Sequence, residues 1–462
     1  MDQPNSRRVA VQQARHDGSV LHSGIVWLVL FFFLTPLWAQ EGTAPRPLTL
    51  EDAVALALQH HPALREADSR TAAARAGVDR ADAAHQVQVK VDSRYATVGD
   101  VPTLTAAGGM PVVLGHDTTW LTTLAAQKVI YSGGRLEALI RQATSTARAT
   151  DALQDRTRQQ VAFGAERAFL LLVAAQRERE VAQQALQTAE EHLAIARARY
   201  AARAAAQFDV LRAEVQVEEA RQDVIRAESN LQVTHAALVQ ALGMPEGAFT
   251  VAEADLAPVP DLPALEDLQR QAGEARPEIR AFDWRVRAAE SAISAARAER
   301  RPTLSLLADY QLVSPESPLQ LTRWSAGIAV SLPILDGGAA RARQREAMAQ
   351  RDETQAAQDA LRQAILAEVS QAYARVRSAH AQIVVARKRV EQSEETLRIA
   401  NVRYQEGVGT ATEIADAQTT LTRARQGLTR ARAEAGITEA ELRLATGATN
   451  TSINSRLQEM LP

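Results

Sequence analysis

The sequence contains no cysteine. That excludes disulfides, thiolate metal sites, cysteine nucleophiles and the acylated N-terminal cysteine of a lipoprotein. Aromatic residues are only 4% of the 462-residue chain, and Ala, Gln, Arg and Glu fill very long tracts. Such tracts read as extended helices packed through thin apolar seams, without a thick globular core. The formal net charge is −3, and no dense Lys/Arg block stands outside mixed-sign helices. A polyanion-binding surface, and with it nucleic acid, is excluded as a partner. The nine His residues form no spaced ligand set with carboxylates. No nucleophile–base set or phosphate loop is present, and the Gly-Gly pairs lack a following Lys or the dinucleotide fingerprint. The expectation is no enzyme, no metal and no cofactor.

Long apolar runs are also scarce. The one prominent run, "GIVWLVLFFFLTPLWA", follows Arg7, Arg8 and Arg15 and ends at Ala39 before the polar "QEGTAPRP". A short run with a basic flank and a small closing residue reads as a secretory signal peptide over residues 1–39. The alternative, a membrane anchor, would want about 20 apolar residues. Leu37 is a poor residue two before the cut. The mature chain is therefore expected to be exported.

What the chain has in abundance is itself, written twice. "YSGG" at 131–134 matches "LDGG" at 335–338, an offset of 204 (Tyr131 to Leu335). At that offset Trp120 meets Trp324, Val161 meets Ile365, Phe169 meets Tyr373, and Gly243 meets Gly447. Upstream the offset becomes 215: Pro62 meets Pro277, Arg65 meets Arg280 and Tyr95 meets Tyr310. The 11 extra residues fall between Tyr95 and Trp120, in Gly-, Pro- and Thr-rich sequence that reads as a loop. An indel confined to a loop is the mark of a true duplication.

Each copy opens with helical sequence, Thr49 to about Ala84 (interrupted at Pro62) and Pro277 to about Arg300. Alternating segments follow, with strands expected at about 86–95, 119–131, 302–311 and 323–335. In "WSAGIAVSLPI", Trp324, Ala326, Ile328, Val330, Leu332 and Ile334 share one face. Strands of about 9–11 residues span a bilayer when tilted. Tyr95, Trp120, Tyr310 and Trp324 sit near strand ends, where a membrane-interface girdle is expected. A small soluble hairpin is the competing reading of these segments. After each Gly-Gly pair comes a proline-free helical tract, to about Tyr200 and Tyr404, roughly 100 Å long at 1.5 Å per residue. Ile365, Val369, Tyr373 and Val376 recur at coiled-coil spacing. The chain then reverses at "RYAARAAAQFDVLRAE" and "RYQEGVGTATEIADAQ", giving long helical hairpins over 135–242 and 339–446.

Four strands cannot close a barrel, because even a small one needs about eight. Edges open to lipid would leave backbone groups unpaired, so several chains must share one barrel. The expected organisation is a first repeat over 40–247, a linker with a short helix over 248–276, a second repeat over 277–447, and a tail to 462.

The duplicated hairpins, the paired Gly-Gly strand ends, the signal peptide and "RYQEGVGTATEIADAQTTL" together resemble TolC-type outer-membrane efflux proteins. The resemblance implies a mostly α homotrimer with a twelve-stranded membrane β-barrel continuous with an α-helical barrel. It also implies an equatorial region around "GMPEGAFTVAEADLAPVPDLP". The implied location is the Gram-negative outer membrane, with a large periplasmic part. The implied function is passive export, in an efflux or type I secretion system with a periplasmic adaptor and an inner-membrane pump or ABC exporter. Acidic rings in that family narrow the periplasmic entrance, and Glu413 and Asp416 fall on the matching positions, one turn apart on one face. A dipole-stabilised helix start is the plainer reading of these carboxylates. Adaptor docking in the family uses both hairpin tips, here Gly407, Val408 and Gly409 in one and Arg203 and Asp209 in the other. Arg203 stands where Gly407 sits, a departure at a position that favours positive φ. The competing whole-chain reading is a periplasmic coiled-coil adaptor or scaffold, which would show one hairpin and not two. No Met or His cluster points to metals as the exported substrate.

Overall fold

The computed structural model describes residues 47–97, 99, 103–105, 108–109, 111–113, 118–245, 262–315 and 321–448. The signal-peptide segment, the linker over 246–261 and the tail after 448 lie outside the described residues.

The opening helix is two helices, α1 (Leu50–His60) and α2 (Pro62–Ala83). Thr49 and Asp52 cap α1 reciprocally, Thr49 Oγ1 accepting from the Asp52 N–H at 3.2 Å. The break falls at His61, which is extended (φ −63, ψ 127) because the proline after it disfavours the helical conformation.

Strand β1 (Gln88–Thr97) follows, then β2 (Thr103–Thr105), β3 (Pro111–Val113) and β4 (Thr118–Tyr131). The segment read from sequence as a plain loop therefore holds a small β2–β3 ladder. Its Gly and Pro content hid two strands too short to show alternation. Next come α3 (Arg135–Ala201), α4 (Gln207–Leu242), α5 (Leu265–Ala275) and α6 (Pro277–Ala298). The chain continues through β5 (Thr303–Pro315), β6 (Leu321–Ser331), α7 (Ala339–Gln405) and α8 (Ala411–Thr446). Leu332 and Ile334, assigned to the last strand by alternation, lie beyond its end. Pro333 has no N–H to give the ladder and stops it.

The four longer strands form one antiparallel sheet in the order β1-β4-β5-β6. Register settles its two faces. Val91 stands opposite Leu124, which stands opposite Tyr310, which stands opposite Trp324. Tyr95 stands opposite Trp120 on the same face, the rings edge-on at 5.9 Å. Opposed residues share a face, so Tyr95, Trp120, Tyr310 and Trp324 lie on one apolar side with Val89, Leu306, Ile328 and Val330. The other side carries Lys90, Asp92, Arg94, Asp309, Gln311 and Arg323. Within the chain β1 and β6 each have one ladder partner, so both outer edges are open.

The helices continue the layer. α3 packs against α2 and α4 on one side and α6 and α8 on the other, and α7 packs against α6 and α8. The core is written twice. Val161, Ala165, Phe169 and Leu172 of α3 close on Leu238 and Leu242 of α4 and on Ala53, Val54 and Ala57 of α1. Ile365, Val369 and Val376 of α7 close on Leu442 and Ala445 of α8 and on Leu268 and Ala272 of α5. Each buried Val, Leu, Ile or Phe among them contributes about 1.5–3 kcal/mol of apolar transfer. Among the described residues no helix is long and apolar enough to cross a membrane.

Candidate functional site: the hairpin tips

Both α3 and α7 end by turning the chain through one left-handed residue, which frees the next N–H groups to satisfy the last carbonyls. In the second tip that residue is Gly407 (φ +79), and Val408 and Gly409 donate to the Arg403 carbonyl at 3.0 and 2.9 Å. In the first tip Arg203 does the same at φ +59, and Ala204 donates to the Arg199 carbonyl at 2.8 Å. An L-residue there costs about 1–2 kcal/mol, so the first tip keeps the turn and carries the strain. Thr410 caps α8 by accepting from the Glu413 N–H at 3.3 Å. Ala206 offers no such acceptor, and Asp209 compensates by accepting from the Ala206 N–H at 3.3 Å.

Glu413 and Asp416 are both exposed on α8 but differ in company. Glu413 pairs with Arg403 of α7 at 3.5 Å. Asp416 has no ion pair among the described residues. Its repeat counterpart in α4 is Arg212, so the two hairpins present opposite charge at one level. A small space between the tips is lined by Arg212, Asp209, Ile195, Ile414 and Tyr404. One link across it was not anticipated. Arg199 of α3 lies 4.1 Å over the ring of Tyr404 of α7, and its Nη1 donates to the Tyr404 carbonyl at 3.4 Å. The repeat placed Arg199 opposite Arg403 in sequence, yet the two turn to different partners.

Above the tips α3, α4 and α8 border a half-open groove of about 520 Å³ lined in part by His192, Glu219, Asp223, Arg226 and Arg423. Burial pushes His192 below the usual imidazole range, against the opposing charge of Glu191. At the other end of α8 lies a second cluster that sequence reasoning missed. Arg276, 3% exposed, pairs with Glu278 at 2.8 Å and with Glu368, while Arg156 reaches Glu278 at 2.7 Å. Arg156 also donates to the Leu444 carbonyl at 3.1 Å, and Arg276 to that of Ala445 at 3.3 Å. The cations thus hold the negative end of the α8 dipole. Burial pushes the Glu278 carboxyl up, but the hydrogen bonds from Arg276 and the charges of both arginines outweigh it and hold it below the usual range.

A duplicated β-β-hairpin chain with one amphipathic sheet and two long helical hairpins has known counterparts. The profile of the family described as "Outer membrane efflux protein" matches residues 53–244 and 268–448. The chain belongs to that family. It is 31% identical over 398 residues to Protein CyaE of Bordetella pertussis, covering 82% of this chain and 80% of that protein. It is also 31% identical over 259 residues to Outer membrane protein OprJ of Pseudomonas aeruginosa, covering 54% and 53%. Among solved structures it matches a membrane protein of Pseudomonas aeruginosa at TM-score 0.75 and 26% identity, covering 86% of this chain and 92% of that one. CusC matches at TM-score 0.75 and 20% identity, covering 88% and 93%. The fold is that of these outer-membrane channels, and the family function is outer-membrane efflux. These findings favour the exit-duct reading over a periplasmic adaptor.

Proposed function

We propose that three copies of this chain form one exit duct, a twelve-stranded barrel in the outer membrane continued by a helical tube in the periplasm of a Gram-negative cell. Within the chain, the second strand of repeat one pairs with the first strand of repeat two, Ala126 opposite Ala308 and Leu124 opposite Tyr310. That observation carries the reading. A repeat that offers its second strand to the next repeat's first strand builds a ring, and the open edges of β6 and β1 are the next joint. Advancing by the repeat offsets puts Val330 opposite Ser93 of the partner subunit, and Ile328 opposite Tyr95 of the partner subunit. The Gly-Gly turns support this. Gly133 is crowded, a Cβ there falling 2.5 Å from the Arg301 Cβ, whereas Gly337 has open space where the neighbour would sit.

The apolar sheet face then meets lipid and the charged face lines the lumen. Three copies of Glu413 and Asp416 gather at the periplasmic entrance, focusing negative potential and favouring cations while the resting tip is narrow. The tips around Arg203, Asp209, Gly407, Val408 and Gly409 are the docking end for a periplasmic adaptor, itself coupled to an inner-membrane pump or ABC exporter. The chain shares 80% of the length of CyaE and 53% of that of OprJ.

The absence of cysteine makes the test clean. In the double variant Val330→Cys/Ser93→Cys, opposed residues have Cα atoms about 4.5–5.5 Å apart across the joint, within disulfide reach. Inside one chain Ser93 is in register with Thr322, so Val330 lies more than three strand spacings from it, over about 14 Å, and only an intersubunit bond can form. Oxidation should give covalent dimers and trimers on a non-reducing gel. If Val330→Cys/Tyr95→Cys cross-links and the matched pair does not, the joint is built otherwise.

A further inference from the structure

We infer that the turn Leu332–Leu335 between β6 and α7 is a lipid contact, seated in the phospholipid leaflet on the helical side of the barrel. This rests on the barrel reading above and adds its lower boundary. Ile334 and Leu335 are 91% and 93% exposed, and Leu332 is 52% exposed. No other stretch of the described residues leaves three large aliphatic side chains so open within four positions. Pro333 ends the ladder, so the exposure does not come from strand pairing.

The neighbouring subunit covers only part of the turn. The first repeat already has its neighbour in place, because Tyr131 of β4 pairs with Leu304 of β5. Even so, Ile130 and Tyr131, the counterparts of Ile334 and Leu335, stay 50% and 47% exposed. The same positions in the second repeat will therefore keep about half their surface when β6 finds its partner, and that surface is aliphatic.

Level and chemistry point to lipid. Seven residues separate Trp324 from Ser331, where β6 ends. At about 3.3 Å per residue and a tilt of about 40°, the ladder descends about 18 Å, most of the roughly 25 Å height of a barrel's apolar band. With Trp324 at the outer rim, the turn that follows Ser331 lies near the opposite rim. The first repeat marks that rim with Lys128 and Tyr131, residue types that hold an apolar body in lipid and a polar tip in water. Beyond the turn, Arg341, Arg343 and Arg345 open α7, whose first turn has no acid. Cations there oppose the helix dipole. Arg343 is answered by Glu299 at 2.5 Å, and Asp336 is taken up by the Gly338 and Ala340 N–H groups at 2.9 and 2.8 Å. Exposed Arg341 and Arg345 have no ion pair among the described residues, and phospholipid phosphates at this depth complement them.

The test uses the full chain in phosphatidylethanolamine–phosphatidylglycerol vesicles. Ile334→Cys and, as control, Ile328→Cys each carry one environment-sensitive fluorophore. Nitroxide lipids labelled in the headgroup, near the top of the acyl chain or near its end serve as quenchers. Ile334→Cys should lose most of its emission to the upper acyl nitroxide, and Ile328→Cys to the deeper one. If Ile328→Cys is quenched from lipid while Ile334→Cys responds only to aqueous iodide, the turn is no lipid contact and the barrel stands. If neither is quenched from lipid, the barrel reading itself fails and this inference with it.

Discussion

Consider replacing Arg276 by Met. Its side chain is 3% exposed and holds Glu278 and Glu368 together with the Ala445 carbonyl in the last turn of α8. Breaking a buried ion pair from one side costs about 3–5 kcal/mol when the partner charge is stranded. Here Glu278 keeps Arg156 at 2.7 Å, while Glu368 is left with Arg156 only at 4.0 Å. The loss should therefore fall short of that range, at about 2–3 kcal/mol. Glu278→Gln should cost more, because it leaves two buried guanidinium groups facing each other. The pH dependence follows from direction. The folded Glu278 carboxyl is held below its usual range, so the stability it confers is present above the unfolded carboxylate pKa. That stability disappears as pH falls through the lower, folded value. Thermal unfolding of the detergent-solubilised protein, followed by helical circular dichroism, should show Arg276→Met melting well below the parent at pH 7. The gap should close as the pH is taken below the usual carboxylate range. Arg398→Met, which removes an exposed pair with Glu395, is the comparison and should leave the midpoint where it was. Equal effects at the two sites, or a gap that widens in acid, would refute the reasoning.

At the tip, Asp416→Asn should lower the cation preference of single channels more than Glu413→Gln, because Arg403 already pairs with Glu413. The double Ala variant should also raise conductance in planar bilayers, and unchanged conductance and selectivity would remove these carboxylates from the entrance. Arg203→Gly should stabilise the first hairpin by about 1 kcal/mol, since a left-handed residue loses its Cβ penalty. Slower amide exchange at Ala204 would register it, and faster exchange would contradict the strained turn.

Much of this molecule is legible as text. The two offsets fixed in sequence recur as geometry: α3 and α7 are each 67 residues long and α4 and α8 each 36. Periodicity also reached the two cores and the apolar side of the sheet, because one stripe of residues suffices to define a seam or a face. It failed where a signal is shorter than its period, as in β2 and β3, or where one residue overrides it, as Pro333 does.

The partners of individual charges were beyond reach of the sequence. Arg199 and Arg403 occupy one repeat position, yet one lies on Tyr404 and the other on Glu413. Arg156, Arg276, Glu278 and Glu368 are scattered over three helices and the residue preceding one of them. The sequence by itself determined the duplication, the lengths of the rods and which stripe of each is apolar, since these depend only on local periods. Only the tertiary structure decided which polar groups meet. That choice depends on the rotation and stagger of long helices about their axes, where a shift of one residue exchanges every partner and leaves the apolar pattern nearly intact.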